Sequence, residues 1–323
     1  MGQFAGHVFP GSASMFFGLW TVWHMMDNFY RRKRFELLNK SNGEPVPLYV
    51  NRISFPIVRK TSHNQKCCTQ IIPVDSALKI SAGIILLCEE VDLLFDKDWA
   101  NMNAQTTQHV SMISLFAISG VAEVCIHYGV LKIPVQSEYL FTLIALVGEF
   151  VLFTFHLHGR SSFDAYLHLL LVGMIGLGVV LLLCEVMSPH QPIYGLMRCW
   201  TYLMQGTWFC QIAVILYPTS EWMRTTWDES APESRASAAN LFAYHMIANL
   251  FVIILIVILG GIRHRSVGST RDQTTAATAV TAGCRMVKGQ FKQENNQLDT
   301  LLTQQSFTGE LNQLNYRPYK DAC

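Results

Sequence analysis

Charge is scarce in this chain. Only 15% of its 323 residues are Asp, Glu, Lys or Arg, half are hydrophobic, and the formal net charge is +1. No basic excess exists to hold a nucleic acid, so a nucleic-acid partner is not expected. The nine cysteines include no CxxC pair and no regular spacing, which argues against a zinc module and a disulfide scaffold. HExxH, a phosphate loop, a Rossmann glycine pattern and a GxSxG elbow are all missing, so an ATP-driven or nicotinamide enzyme has no support. Strict two-residue alternation is also missing from the apolar blocks, which disfavours a β-barrel. No charged segment precedes the first block and no small-residue cleavage site follows it, so it reads as a retained span. The start "MGQ" has Gly6 where a myristoylation signal needs Ser or Thr.

What the chain has instead is long apolar runs. Seven are read, at about 12–30, 74–95, 109–130, 137–159, 163–187, 194–218 and 239–262. Each is close to the roughly 20 residues that carry a helix across a bilayer. "LLLVGMIGLGVVLLLC" and "LFVIILIVILGG" are the clearest, and "SASMFFGLWTVWHMMDNFY", with His24, Asp27 and Asn28 in its last turns, is the least clear. In lipid only helices and closed barrels satisfy their own backbone. The expected fold is therefore all-α: a polytopic bundle of seven transmembrane helices over residues 1–266, with a mostly disordered polar tail over 267–323.

Lys and Arg set the orientation. Nine lie between the first two blocks, beginning with "RRKR" at 31–34, and eight follow the seventh. Lys132 and Arg198 are assigned to the other two loops of that side, whereas the opposite side has Lys97, Arg160, Arg224 and Arg235. The positive-inside rule puts the rich side and the C-terminus in the cytosol, and the N-terminus outside or in a lumen. The membrane is then an endomembrane or the plasma membrane. The partners expected are the lipid bilayer and cytosolic proteins reaching the loop 31–73 and the tail 267–323. Cys67 and Cys68, beside basic residues, are either palmitoylated or plain cytosolic thiols. In the tail, Phe291, Leu298, Leu301 and Leu302 give one stretch an amphipathic helical pattern.

Ionisable residues inside spans are functional candidates by default, because each is costly in lipid unless paired or hydrated. The candidate cluster is Glu149, His156, His168, His245, His109, Asp164 and Glu123. Glu149 and His156 share a helix face at a spacing of seven, and Asp164 and His168 at a spacing of four. Glu89, Glu90 and Asp92 fall on the same outer side as the histidines. His158 is assigned to the turn with Gly159 and Arg160, and Arg160 is expected to face water or a head group. Three readings stay open. His109, His156, His168 and His245 could ligate a divalent metal such as zinc, as in a metal-dependent membrane hydrolase. Glu123 and Glu149 could relay protons or ions below a histidine vestibule. Or the histidines simply hydrogen-bond one helix to another. In the sixth block Gln205, Trp208 and Gln211 form either a pocket wall or a packing face, and Gly206 would let a neighbouring helix approach closely.

"MGQFAGHVFPG" at the start, "FHLHGR", "LHLLLV" and "QGTWFCQIAVILYP" occur in that order, with Glu149 seven residues before His156 and with His245 in the last block. In these features the chain resembles the transmembrane protein 45 family. The resemblance covers the helical region and implies a multi-pass endomembrane or plasma-membrane protein of unknown function, without a reaction. It carries over to His7, Glu149, His156, His158, Gly159, Arg160, His168, Gln205, Trp208, Gln211 and His245, with no roles attached. Glu123 stands where the family pattern leads one to expect aspartate. A looser analogy, resting on helix count, is to seven-helix metal hydrolases such as alkaline ceramidases and adiponectin receptors. Those place an HxxxH pair on the last helix, whereas here His245 is followed by Asn249. The functional expectation is an uncharacterised multi-pass membrane protein with a trafficking or scaffold role. A metal-dependent hydrolase and a proton- or ion-linked carrier are the alternatives.

Overall fold

The computed structural model describes residues 4–40, 48–60, 69–95, 104–134, 136–157, 159–218, 220–228 and 231–266. Among them the chain forms α1 (Phe4–Lys40), β1 (Ile57–Lys60), β2 (Thr69–Ile72), α2 (Val74–Phe95), α3 (Ala104–His127), α4 (Glu138–Phe155), α5 (Ser162–Met187), α6 (Pro192–Leu216), α7 (Glu221–Thr226) and α8 (Pro232–Ser266). The two strands are an antiparallel hairpin with Ile57 opposite Ile72. The tail 267–323, with its amphipathic stretch, and Cys67, Cys68 and His158 lie outside the described residues. So do the side chains of Glu89, Glu90 and Asp92.

Local chemistry explains the helix ends. Ser161 caps α5 from an extended conformation, its side chain accepting from the Asp164 N–H, and Asp164 adds a negative charge to the first turn. Pro192 opens α6, where its missing N–H has no intrahelical role. Between α4 and α5, Gly159 takes φ +79°, a left-handed conformation that a side chain would strain.

Seven apolar blocks do become seven long helices, but among the described residues four of them, not seven, are long and apolar enough to cross a membrane by length and composition. These are Thr106–His127, Glu138–Phe155, Ser162–Met187 and Pro232–His264. The others are diluted by polar residues: His24, Asp27 and Asn28 on α1, Asp75, Lys79, Glu89 and Glu90 on α2, and Arg198, Thr201 and Gln205 on α6. Several of these side chains face the protein interior. Helix α6 is the hub, with fifteen of its 25 residues buried. Its Trp208 indole N–H donates to Leu167 O on α5 at 3.0 Å, and its Trp200 indole to Met246 O on α8 at 3.2 Å. Helix α1 crosses it in backbone contact, since a Cβ on Gly206 would stand 2.6 Å from Gly11 O. Helix α8 turns Ile247, Phe251, Ile254, Leu255 and Ile258 outward. A continuous apolar strip of that kind needs lipid or protein to cover it.

Residues 48–56 sit in one end of the bundle. Asn51, Ile53 and Phe55, at alternate positions as in an extended strand, are buried. Asn51 N donates to Pro189 O at 2.7 Å, Asn51 Nδ2 to Gln191 O at 2.8 Å, and the His190 ring to Tyr49 O at 2.8 Å. Residues 1–32 and 48–260 form one compact unit, which contains everything described below. Residues 33–47 and 261–323 form a second, of which the described parts are the final turns of α1 and α8.

Candidate functional site

The end of α4, the start of α5 and the N-terminal parts of α1 and α3 bring four imidazoles together. His109 and His156 have ring centroids 4.8 Å apart, His156 and His168 6.4 Å, and His7 and His168 5.6 Å. Hydrogen-bond partners assign the His156 tautomer. Its Nδ1 lies 3.0 Å from Gln108 Oε1, which only accepts, so Nδ1 carries the proton. Its Nε2 then accepts from Arg160 Nη2, and His109 Nε2 stands 3.4 Å away. The guanidinium is held on every side. Its Nε donates to His156 O at 3.1 Å, and Nη1 donates to both Asp164 oxygens at 3.1 and 2.9 Å. His168 Nδ1 closes the chain on Asp164 Oδ1 at 2.7 Å. Arg160 therefore turns inward, contrary to expectation, because Asp164 one turn on and the His156 lone pair outcompete solvent.

This geometry does not suit a metal. The Nε2 lone pair of His156 is already occupied by an arginine, and among the described residues no group of three His, Cys, Asp or Glu side chains could hold an ion. His245 stands apart from the other histidines, its ring edge-on to Trp208 at 5.7 Å. His109, His156 and His168, with His7, line a cavity of about 400 Å³. His245 is not in its wall.

The cavity runs between α1, α2, α3, α4 and α6. Its wall is largely aromatic and aliphatic, including Phe9, Phe17, Leu86, Met112, Phe116, Leu146 and Phe209. Imidazoles and Arg160 form one end, and Glu149 and Gln205 line it farther in. Of the proposed wall on α6, Gln205 faces the cavity, Trp208 reaches into α5, and Gln211 is not a lining residue. Phe16 of α1 and Ile85 of α2 also line it, yet are 52% and 47% exposed, so the cavity opens sideways between these helices.

Glu123 belongs to a different place. It ends α3 near the cavity floor, where Lys79 Nζ, Ser76 Oγ and Thr142 Oγ1 all donate to it. Fourteen residues of helix, roughly 20 Å at ~1.5 Å per residue, separate it from His109. The Lys79 ammonium also lies 5.1 Å from the centre of the Phe17 ring. Nearby, Asp75 accepts from the Trp20 indole and from Phe55 N.

Arg198 is the largest correction. It is not a loop charge. It lies in the second turn of α6, fully buried, with Nε 2.6 Å from Glu185 Oε2 and Nη2 3.1 Å from Oε1. Tyr139 donates to the same carboxylate at 3.0 Å, and Nη2 also reaches Arg52 O. The signal was present: an acid at the end of one apolar block and a base at the start of the next, across a four-residue connection, face each other in an antiparallel pair.

An all-helical bundle, apolar outward faces and a cavity open to the side define an integral membrane protein of the all-α class. Comparison with known proteins agrees. Residues 136–260 match a family described as a family of unknown function, DUF716. The chain is 22% identical over 282 residues to transmembrane epididymal protein 1 of Rattus norvegicus, covering 82% of this chain and 83% of that one. It is 22% identical over 271 residues to transmembrane epididymal protein 1A of Mus musculus, with the same coverage. These matches point to a transmembrane, DUF716-type family and do not single out the transmembrane protein 45 family that the motifs resemble.

Proposed function

We propose that this chain is a seven-span membrane protein that takes a single-chain amphipathic molecule from the bilayer into its helical bundle. One observation carries the reading: the cavity of about 400 Å³, apolar along its length and polar at the imidazole end. Cavities of this size between bundle helices, with few converging polar groups, are the usual form of a small-molecule site. The gap between α1 and α2 at Phe16 and Ile85 is the way in from lipid. The head group stays at the imidazole end, beside Arg160 and the histidine rings. In this reading α1, α2 and α6 also span the bilayer. The basic side faces the cytosol, so the imidazole end is lumenal or outside.

The metal-hydrolase alternative has lost its ligand set, since Arg160 occupies His156. The ion-relay alternative loses Glu123, which Lys79 neutralises. A trafficking or scaffold role rests on the loop and on the tail, much of which lies outside the described residues. The test is extraction and mass spectrometry of lipid that co-purifies with the protein. About one amphipath per chain is expected for wild type and none for Ala82→Trp, whose indole would fill the cavity from α2. Wild-type protein with no bound amphipath would overturn the reading.

A further inference from the structure

Among the described residues, two of the buried atoms without a hydrogen-bond partner belong to residues that line the cavity. Glu149 Oε2 and Gln205 Nε2 are both buried without one among the described residues. Both residues line the cavity, and Gln205 as a whole is 5% exposed. They lie at similar depth. A Cβ on Gly178 would stand 3.5 Å from both Gln205 Nε2 and Leu146 Cδ2, and Glu149 is one turn beyond Leu146 on the same face of α4. Leaving such atoms unpaired costs about 1–3 kcal/mol each. The terminal torsions of Glu and Gln are broad, so either group can turn into the cavity without leaving a rotamer well.

From this pair we infer a second polar subsite, which receives a hydroxyl carried partway along the chain of the bound amphipath. The inference rests on the cavity reading above. The chemistry selects the group. The Gln205 amide N–H donates, so the ligand atom must accept. The Glu149 carboxyl oxygen Oε2 accepts, so the same group must also donate. A hydroxyl does both, whereas a ketone or ether only accepts and a methylene does neither. Spacing selects its place. Seven residues of α4 separate Glu149 from His156, roughly 10 Å at ~1.5 Å per residue. The ligand therefore has its head group at the imidazoles and a hydroxyl about 10 Å down the chain. A plain acyl chain would leave both polar atoms unpaired, and sites built to hydrogen-bond a hydroxyl discriminate strongly against analogues that lack one.

The experiment uses the full chain in lipid nanodiscs and measures competition between stearate and 10-hydroxystearate for the cavity. Wild type should bind the hydroxylated acid about tenfold more tightly or better. Gln205→Met and Glu149→Leu should each remove most of that preference, read as the ratio of the two affinities in protein whose thermal unfolding shows it to be folded. Ala82→Trp should abolish both ligands. Equal binding of the two acids to wild type, with both lost in Ala82→Trp, overturns the hydroxyl subsite and leaves the cavity reading intact. A preference that survives both Gln205→Met and Glu149→Leu also overturns the subsite. Failure of both acids to bind wild type overturns both proposals.

Discussion

At the end of the bundle where α5 finishes and α6 begins, each buried charge has a partner at hand. Glu185 meets Arg198, Glu123 meets Lys79, and Asp75 is met by an indole and a backbone N–H. Residues 48–56 pack over that end with Ile53 and Phe55 buried. At the end where α4 turns into α5, one arginine and one aspartate meet two of four imidazoles, a glutamine meets one of these, and the imidazoles and Arg160 border a cavity. At the first end the buried charges hold one another, and Lys79 and Thr142, which reach the cavity wall, are already on Glu123. The second end keeps ring nitrogens at a cavity wall, with Glu149 and Gln205 farther in. Buried ion pairs fix a geometry, whereas neutral, rearrangeable hydrogen-bonding groups beside an apolar space suit reversible binding.

The most severe way to break this comparison is to strip one partner from the paired end. Arg198→Met leaves Glu185 charged and buried, and should cost about 3–5 kcal/mol. Removing both charges, with Glu185→Met and Arg198→Met together, should cost far less, since it is the uncompensated charge that is expensive. Thermal unfolding in detergent micelles reads both. A single variant no less stable than the double would show that the pair is not what holds this end.

Next in size is the crossing that keeps the cavity's α1 wall in place. Gly206→Leu would drive side-chain atoms into the Gly11 backbone and into Met15, and should cost about 1–3 kcal/mol through overpacking. Wild-type stability for this variant would mean that α1 and α6 do not cross so closely in the folded protein. A smaller loss, about 1 kcal/mol, is expected for His156→Ala. Gln108 and Arg160 lose a partner, but Arg160 keeps Asp164. A loss at His156 equal to that at Arg198 would erase the distinction between the two ends.

The smallest effect sharpens the comparison within the paired end, where, among the described residues, Tyr49 Oη, Asn51 Oδ1 and Arg198 Nη1 lack partners. Tyr49→Phe should change stability by less than about 0.5 kcal/mol near neutral pH, because no bond is lost. Burial, and then the Glu185 carboxylate, hold the Tyr49 phenol above its ordinary value of 10.0. A raised folded-state value means that the tyrosine's contribution is intact below pH 10.0 and is lost as pH climbs toward the folded value. Wild type should therefore lose stability relative to Tyr49→Phe above that pH. Parallel curves for the two proteins would contradict the burial of this hydroxyl.

Much of the fold was legible in the order of residues. All seven apolar blocks lie in helices, five with nearly the expected bounds and α1 and α8 running four to ten residues further at each end, because a run of about 20 apolar residues has few ways to satisfy its backbone. That several histidines would gather at one depth was also legible, since His109 opens one block and His156 and His168 flank a tight turn between two others. What the order of residues could not settle was pairing. Arg198 reads as a loop charge until α5 and α6 are docked and Glu185 lies beside it. Arg160 reads as exposed until the turn folds it onto Asp164 and His156. Glu123 and Glu149 look like members of one cluster until three helices place Lys79, Ser76 and Thr142 around the first alone. The cavity is decided only by packing, because it is the space left when α1 closes on α6 at Gly11 and Gly206 but diverges from α2 at Phe16 and Ile85. Helix formation is a local property of composition and period, whereas partner choice and empty volume belong to the distances between helices, and these exist only once the chain is packed.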